Sequence, residues 1–218
     1  MMSHRTDFFD RSIKESLTRT DNPAVQFVVL GAGYDTRCYD LSEVVDIQCF
    51  EVDMPPTLNS KIGALKSAGV PHDHVTFVET DFNQETWMEA LLASGFDPNL
   101  TTYVLWEGVT MYLVEGAIRD TLNLVSSLPK GSTVGVDFFS ADLVYGNPPY
   151  ARISKAMHKS IKYYSEEIQF GVATAKTLSE GIEKLAGDSG LTLSRFEHVG
   201  SEEDKLPPWY FFAQIDNI

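Results

Sequence analysis

An α/β fold with a doubly wound, mostly parallel sheet is what this sequence predicts, on three observations. Five short apolar runs alternate with segments of helical periodicity, and two further apolar runs close the chain. The first run, Val28-Val29-Leu30, stops abruptly at Gly31-Ala32-Gly33, as a buried parallel strand does where it enters a tight turn and a helix. The second, Ile47 to Phe50, closes on Glu51-Val52-Asp53. Asp53 stands about twenty residues beyond Gly33, the separation at which a nucleotide-binding βαβ unit sets an acid against a ribose.

Each element has its own local reason. Residues Ser3 to Thr20 carry Phe8, Phe9, Ile13 and Leu17 at helical spacing, and Asp21-Asn22-Pro23 ends that amphipathic helix. The chain opens directly on it, which raises the expectation of a longer native N-terminus. Strand 1 runs from about Val25 to Leu30, and polar residues then lead to a helix at Cys38-Tyr39-Asp40-Leu41. Strand 2 runs from about Val45 to Val52. Pro55-Pro56 starts a helix with Leu58, Ile62 and Leu65 on one face, and Ala68-Gly69 closes it. Strand 3, Val75 to Glu79, ends at Thr80-Asp81-Phe82, and a helix with Trp87 and Leu91 stops near Ser94-Gly95. Strand 4, Thr102 to Trp106, ends at Glu107-Gly108; a helix with Ile118, Leu122 and Val125 runs to Pro129-Lys130-Gly131. Strand 5 spans Thr133 to Phe139. Ser140 to Pro149 reads as a Gly/Pro-containing loop, followed by a helical stretch with Met157, Ile161 and Tyr164. Leu178, Ile182 and Leu185 mark another helix, closing at Gly187 or Gly190. Leu191 to Val199 and Trp209 to Ile215 are the last strands. With no repeat, low-complexity tract or linker, residues 1–218 read as one domain.

Composition narrows the function classes. Hydrophobic content of 43% in 218 residues suits one α/β domain with a sizeable core, and the mean hydropathy is −0.13. No apolar run approaches a membrane span and the polar N-terminus lacks a signal-peptide apolar region, so a cytoplasmic location is expected. Cys38 and Cys49 make neither a disulfide framework nor a metal-ligand spacing. A net charge of −14 opposes a nucleic-acid partner. The densest basic cluster, Lys155, Lys159 and Lys162, reads as one solvated helix face.

In an open α/β sheet the ligand lies beyond the carboxyl ends of the strands. The residues there are Gly31, Gly33 and Asp35, then Glu51 and Asp53, then Asp81 and Phe82, then Glu107. Any single acid among them could be a helix N-cap, but acids at four strand ends in register ask for a ligand. A diphosphate would want amides and basic residues. Acids suit hydroxyls, an amine and a positive centre.

Three strings carry a resemblance: Leu30-Gly31-Ala32-Gly33-Tyr34-Asp35-Thr36-Arg37, then Phe50-Glu51-Val52-Asp53-Met54-Pro55 with Lys61 downstream, then Glu107-Gly108-Val109-Thr110-Met111-Tyr112-Leu113. In this order they resemble the leucine carboxyl methyltransferase family, over about Arg5 to Phe139. That family includes small-molecule O-methyltransferases and the enzyme that methylates the C-terminal leucine of a protein phosphatase. The resemblance implies an S-adenosylmethionine-dependent, Rossmann-like fold with a seven-stranded sheet whose last strand is reversed. By the same resemblance Gly31 and Gly33 let the methionine portion lie over the turn, and Asp53 takes the ribose hydroxyls. Asp81 and Phe82 read the adenine, Glu107 faces the methionine amino group, and Arg5 meets its carboxylate. Residues 140–176 are then the expected acceptor-side lid, with Tyr145, Tyr150, Met157, Tyr163, Tyr164 and Phe170 suggesting an aromatic wall for a small-molecule acceptor.

Other readings have their own signals. A nicotinamide oxidoreductase would share the turn and Asp53, but Thr36 holds the place of the third glycine and no Tyr-x-x-x-Lys pair is present. A protein C-terminus as acceptor, or a non-catalytic S-adenosylmethionine-binding protein, also fits the motifs. A carboxylate acceptor needs no base, whereas a phenol or alcohol does. His158 and His198 read as surface or packing residues, and His72 and His74 lack a third metal ligand. Gly187-Asp188-Ser189-Gly190 reads as a helix cap.

Overall fold

The computed structural model describes residues 2–42, 46–81, 86–163, 166–174, 177–200 and 207–218. Its strands are β1 (Gln26–Leu30), β2 (Gln48–Asp53), β3 (Val75–Glu79), β4 (Thr102–Trp106), β5 (Thr133–Phe139), β6 (Thr192–Val199) and β7 (Tyr210–Asp216). They form one sheet in the order β3-β2-β1-β4-β5-β7-β6. Pairings among the first five are parallel, and β7 runs antiparallel between β5 and β6. The strand order reverses between β1 and β4, which opens a crevice at the carboxyl edge.

The helices are α1 (Met2–Thr18), α2 (Arg37–Ser42), α3 (Pro55–Ala68), α4 (Trp87–Ala93), α5 (Glu115–Ser126), α6 (Ala141–Tyr145), α7 (Ala151–Lys162) and α8 (Glu180–Asp188). They cover both faces of the sheet. On one face Trp87, Leu91, Ile118, Leu122, Ile182 and Leu185 pack on Val28, Val104 and Val136. On the other Phe8, Phe9, Ile13 and Leu17 of α1 pack with Cys38 and Tyr39 on Phe27, Val29 and Tyr103. Alternate residues of each strand thus feed opposite cores, as the period of two requires.

Two local readings change and one alternative is decided. Ser140 to Pro149 contains a short helix, α6, rather than only a loop: the Ser140 hydroxyl accepts from the Leu143 amide at 3.2 Å, and Gly146, at φ +71°, ends it. One helical turn is too short for apolar periodicity to register. On α3 the buried pair is Leu58 and Lys61, not Leu58 and Ile62. At the chain's late turn, the amide of Leu191 bonds the Ala186 carbonyl at 2.9 Å with Gly190 at φ +76°, so Gly190 closes α8. Strand 2 begins at Gln48, with Asp46 and Ile47 outside it; Val45 lies outside the described residues.

A buried polar chain holds α1 on the sheet. The Tyr103 hydroxyl donates to Ser12 Oγ at 2.8 Å, and Ser12 donates to Gln214 Oε1 at 2.9 Å. This is why β5 contains a glycine in its middle: a Cβ on Gly135 would collide with the Tyr103 hydroxyl and press on Phe9. Gly135→Val should therefore lose about 1–3 kcal/mol of stability by overpacking, read as a lower midpoint in urea unfolding; an unchanged midpoint would refute this packing.

Candidate functional site

Parallel register brings the polar turns together. Leu30 lies beside Val52 and Val29 beside Leu105, so the turns after β1, β2 and β4 open on one edge. Gly31 and Ala32 amides bond the Val52 carbonyl at 2.8 and 3.1 Å. The Gly33 amide donates to Asp53 Oδ2 at 2.8 Å, and the Met54 amide donates to Oδ1 at 2.7 Å. Each carboxylate oxygen keeps a lone pair for another donor. The two glycines divide the work. Gly31, at φ +70°, needs its lack of a Cβ because the Val109 side chain fills that space; at Gly33, φ +45°, a Cβ would meet only the Gly31 carbonyl oxygen, at 3.9 Å.

A cleft of about 620 Å³ lies over this turn. Gly31, Asp53 and Asp81 line it together with Gly108, Val109, Tyr112, Glu166, Glu167 and Gln169. A 3₁₀ turn, Thr110–Tyr112, follows β4 and anchors that segment. The amides of Gln169 and Phe170 donate to the Met111 carbonyl, and Gln169 Nε2 donates to that of Tyr112.

At the end of the cleft next to Gly108 stands a charged cluster. Arg5 Nε is 2.6 Å from Glu107 Oε1, and Arg37 Nη1 is 2.9 Å from Glu107 Oε2, so one carboxylate bridges α1 and α2. Arg5 Nη1 also donates to the Tyr210 hydroxyl at 2.7 Å and lies 3.4 Å from Asp137 Oδ2. Asp137 is wholly buried, and burial pushes its carboxyl up to about 6.

Not every strand-end acid reaches the cleft. Asp35 accepts from the Arg37 amide at the start of α2 and pairs with the Arg37 guanidinium, while Arg37 Nε holds Asp10. Glu51 is fully buried beneath α3, 2.6 Å from Lys61 Nζ and within reach of the Tyr39 hydroxyl. Burial raises its carboxyl above the ordinary range, against the downward pull of Lys61. Asp35 and Glu51 thus build the turn and the core rather than the cleft wall. Phe82 lies outside the described residues. Asp137 and Tyr210 are new to the site. The available signal was an acid inside the apolar run of β5, which only a nearby partner could make tolerable.

The family model for leucine carboxyl methyltransferase matches residues 1–126, more than half of the chain. The chain belongs to the leucine carboxyl methyltransferase family. YktD of Bacillus subtilis strain 168, named as a candidate S-adenosyl-L-methionine-dependent methyltransferase, is 31% identical over 198 residues, covering 89% of this chain and 62% of that protein. The chain spans 43% to 62% of the length of the first curated relatives it matches. Two solved structures share the fold. A DUF574-family protein of Streptomyces avermitilis has TM-score 0.69 at 14% identity, covering 100% of this chain and 84% of its own. Magnesium protoporphyrin IX methyltransferase of Synechocystis PCC 6803, with bound S-adenosylhomocysteine, has TM-score 0.60 at 13% identity, covering 100% and 84%.

The cofactor of this family fold is S-adenosylmethionine, and the residues present fit it. Gly33 leaves backbone open to a ligand, Asp53 keeps acceptors for hydroxyls, and Asp81 lines the same cleft. The Arg5 guanidinium lies 3.7 Å from where a Cβ on Gly108, a lining residue of the cleft, would be. The expected aromatic wall is different. Phe170 packs into the main core against Phe138, Tyr150 donates to the carbonyls of Pro207 and Pro208, and Tyr145 and Tyr163 face solvent. Tyr164 lies outside the described residues. Met157 is half-buried against Met111, Val144 and Ile168. His158 bonds the Val144 carbonyl at 2.9 Å, and His198 bonds that of Gly200. Among the described residues no helix is long and apolar enough to cross a membrane, and no group of three His, Cys, Asp or Glu could hold a metal ion.

The Lys61–Glu51 pair makes a stability prediction. Lys61→Met leaves an unpaired buried carboxylate and should cost about 3–5 kcal/mol, while Lys61→Met combined with Glu51→Gln recovers much of that. Urea unfolding of both variants checks it; equal losses would refute the pairing.

Proposed function

We propose that this chain binds S-adenosylmethionine in the cleft beyond β1, β2 and β4 and transfers its methyl group to an oxygen of a small-molecule acceptor. The observation that carries the reading is that Asp53, whose Oδ2 takes the Gly33 amide, and Asp81 line one cleft together with Gly108, with the Arg5–Glu107 pair standing just behind Gly108. Asp53 would hold the ribose hydroxyls, Asp81 the adenine, Arg5 the methionine carboxylate and Glu107 its amino group. The bound cofactor supplies an electrophilic methyl on a sulfonium. Holding donor and acceptor in line is then the chain's main work, and alignment of that kind supplies several kcal/mol of barrier reduction.

The lining favours a hydroxyl over a carboxylate as acceptor. Asp53, Asp81, Glu166 and Glu167 contribute acids, and among the described residues no Lys or Arg lines the cleft. Arg152, Lys155 and Lys159, which could have neutralised a carboxylate, stand exposed on α7. A hydroxyl loses its proton as the new C–O bond forms, and the lining carboxylates are the groups placed to take it. Residues 140–176 serve as the acceptor-side lid in this reading, on the support of the bonds from Gln169 to the 3₁₀ turn.

Asp53→Ala should weaken S-adenosylmethionine and S-adenosylhomocysteine by similar factors, about 10- to 100-fold, since both carry the ribose. Calorimetry decides it, and parental affinity in the variant refutes the ribose role. Gly33→Val should abolish binding of both, because its branch enters space open in the parent; a folded variant with parental affinity would sink that. Label transfer from the methyl donor to a panel of small phenols, alcohols and acids tests the acceptor, and label found only on a protein C-terminus would overturn the small-molecule reading.

A further inference from the structure

We propose that Asp137 and Tyr210, neither of which lines the cleft, are positioning residues that set Arg5 and the Gly108 turn for the donor. This rests on the reading of the cleft given above. Asp137 is fully buried in β5, and Tyr210 is 3% exposed in the neighbouring β7. The side-chain contacts of Asp137 all lead to the cleft rim. Its Oδ1 and Oδ2 accept from the Gly108 amide at 2.9 and 3.1 Å, and Oδ2 also accepts from the Tyr210 hydroxyl at 2.5 Å.

The proton order follows from the chemistry of the groups. A carboxylate can only accept, so the Tyr210 hydroxyl donates to Asp137 and uses its lone pair to accept from Arg5 Nη1 at 2.7 Å. Tyr210 therefore carries the orientation of Asp137 to the guanidinium. The second arm runs through Gly108. Held at φ +76° by the same carboxylate, Gly108 presents Val109, whose side chain fills the space over Gly31. One buried acid thus sets both the arginine and the wall of the cleft.

A buried carboxylate is a poor choice for stability alone. Apolar replacements of buried charged groups are often neutral or stabilising, and burial here pushes the carboxyl up to about 6. Its native form therefore holds the proton more tightly than the unfolded chain does. Stability falls as pH rises from the ordinary value of 3.8 through about 6, and Asp137 adds nothing further above that. The charged and titratable groups facing it are Arg5 from α1, Glu107 from the turn after β4, Tyr210 from β7 and Tyr112 from the 3₁₀ turn. Such a group is retained for what it orients.

Calorimetric titration of S-adenosylhomocysteine into the full chain tests this, with thermal unfolding of each variant alongside. Tyr210→Phe and Asp137→Asn should each weaken binding about 10- to 100-fold, the worth of one or two charge-assisted hydrogen bonds; Tyr210→Phe should also lower the unfolding temperature at pH 8, because it takes a donor from a buried carboxylate, while both variants remain folded at the titration temperature. In an Arg5→Ala background Tyr210→Phe should cost nothing more, because it acts through that arginine. The parent's affinity should decline as pH falls through about 6, and Asp137→Asn should abolish that decline. If Asp137→Asn does not fold, Tyr210→Phe, which removes one hydroxyl, carries the test. Folded variants that bind like the parent, or an additive double variant, overturn this inference and leave the cleft reading standing. A parent that binds neither donor nor product overturns the cleft reading and the inference together.

Discussion

Parallel pairing in one register, with Leu30 beside Val52, Val29 beside Leu105 and Val52 beside Val78, is the constraint on which the cleft depends. A parallel sheet puts the outgoing turns of all its strands on one edge, and each turn arrives with its backbone amides unspent. Here those amides are used locally. Gly31 and Ala32 tie back to β2, while Gly33 and Met54 grip Asp53. A slip of one residue would turn Asp53 and Glu51 to the opposite face and break every one of these bonds.

The edge is then stiffened by ion pairs rather than by apolar packing. Glu107 is caught between Arg5 and Arg37, and so joins the first helix, the helix after the glycine turn and the exit of β4. Those groups are each less than a fifth exposed, so solvent screens them less than a surface pair. A chain of net charge −14 concentrates two of its few arginines here. That choice makes sense where a cluster of acids needs local compensation while a charged ligand end is still to be met.

The buried acids divide by partner. Glu51 has a lysine from its own βα unit, and the pair closes α3 onto the sheet. Asp137 has no such local cation. Its nearest positive charge arrives from α1, 3.4 Å away, and its better bonds come from an amide and a phenol. The first arrangement holds the fold together. The second orders groups around a ligand, and the raised carboxyl of Asp137 records how much burial opposes its charge.

The acceptor side shows where chain pattern misleads. Its aromatic residues look like a wall in the linear order, yet Phe170 is core, Tyr150 is tethered to the 207–208 carbonyls, and Tyr145 and Tyr163 face water. Aromatic residues pack wherever area is buried, and helical spacing does not say against what. By contrast the strand–turn–helix order, the glycine turn, Asp53 and Glu107 were legible without coordinates. They depend on local periodicity and on spacings inside single βα units, which a sequence carries directly. The short helix α6 lay below the length at which periodicity speaks. The burial of Lys61 in place of Ile62, the collision that keeps Gly135 a glycine, and the Asp137–Tyr210 bond across 73 residues of chain were decided only by tertiary structure. Each is a meeting of groups from different elements, and what sets it is which faces the sheet and its helices bring into contact.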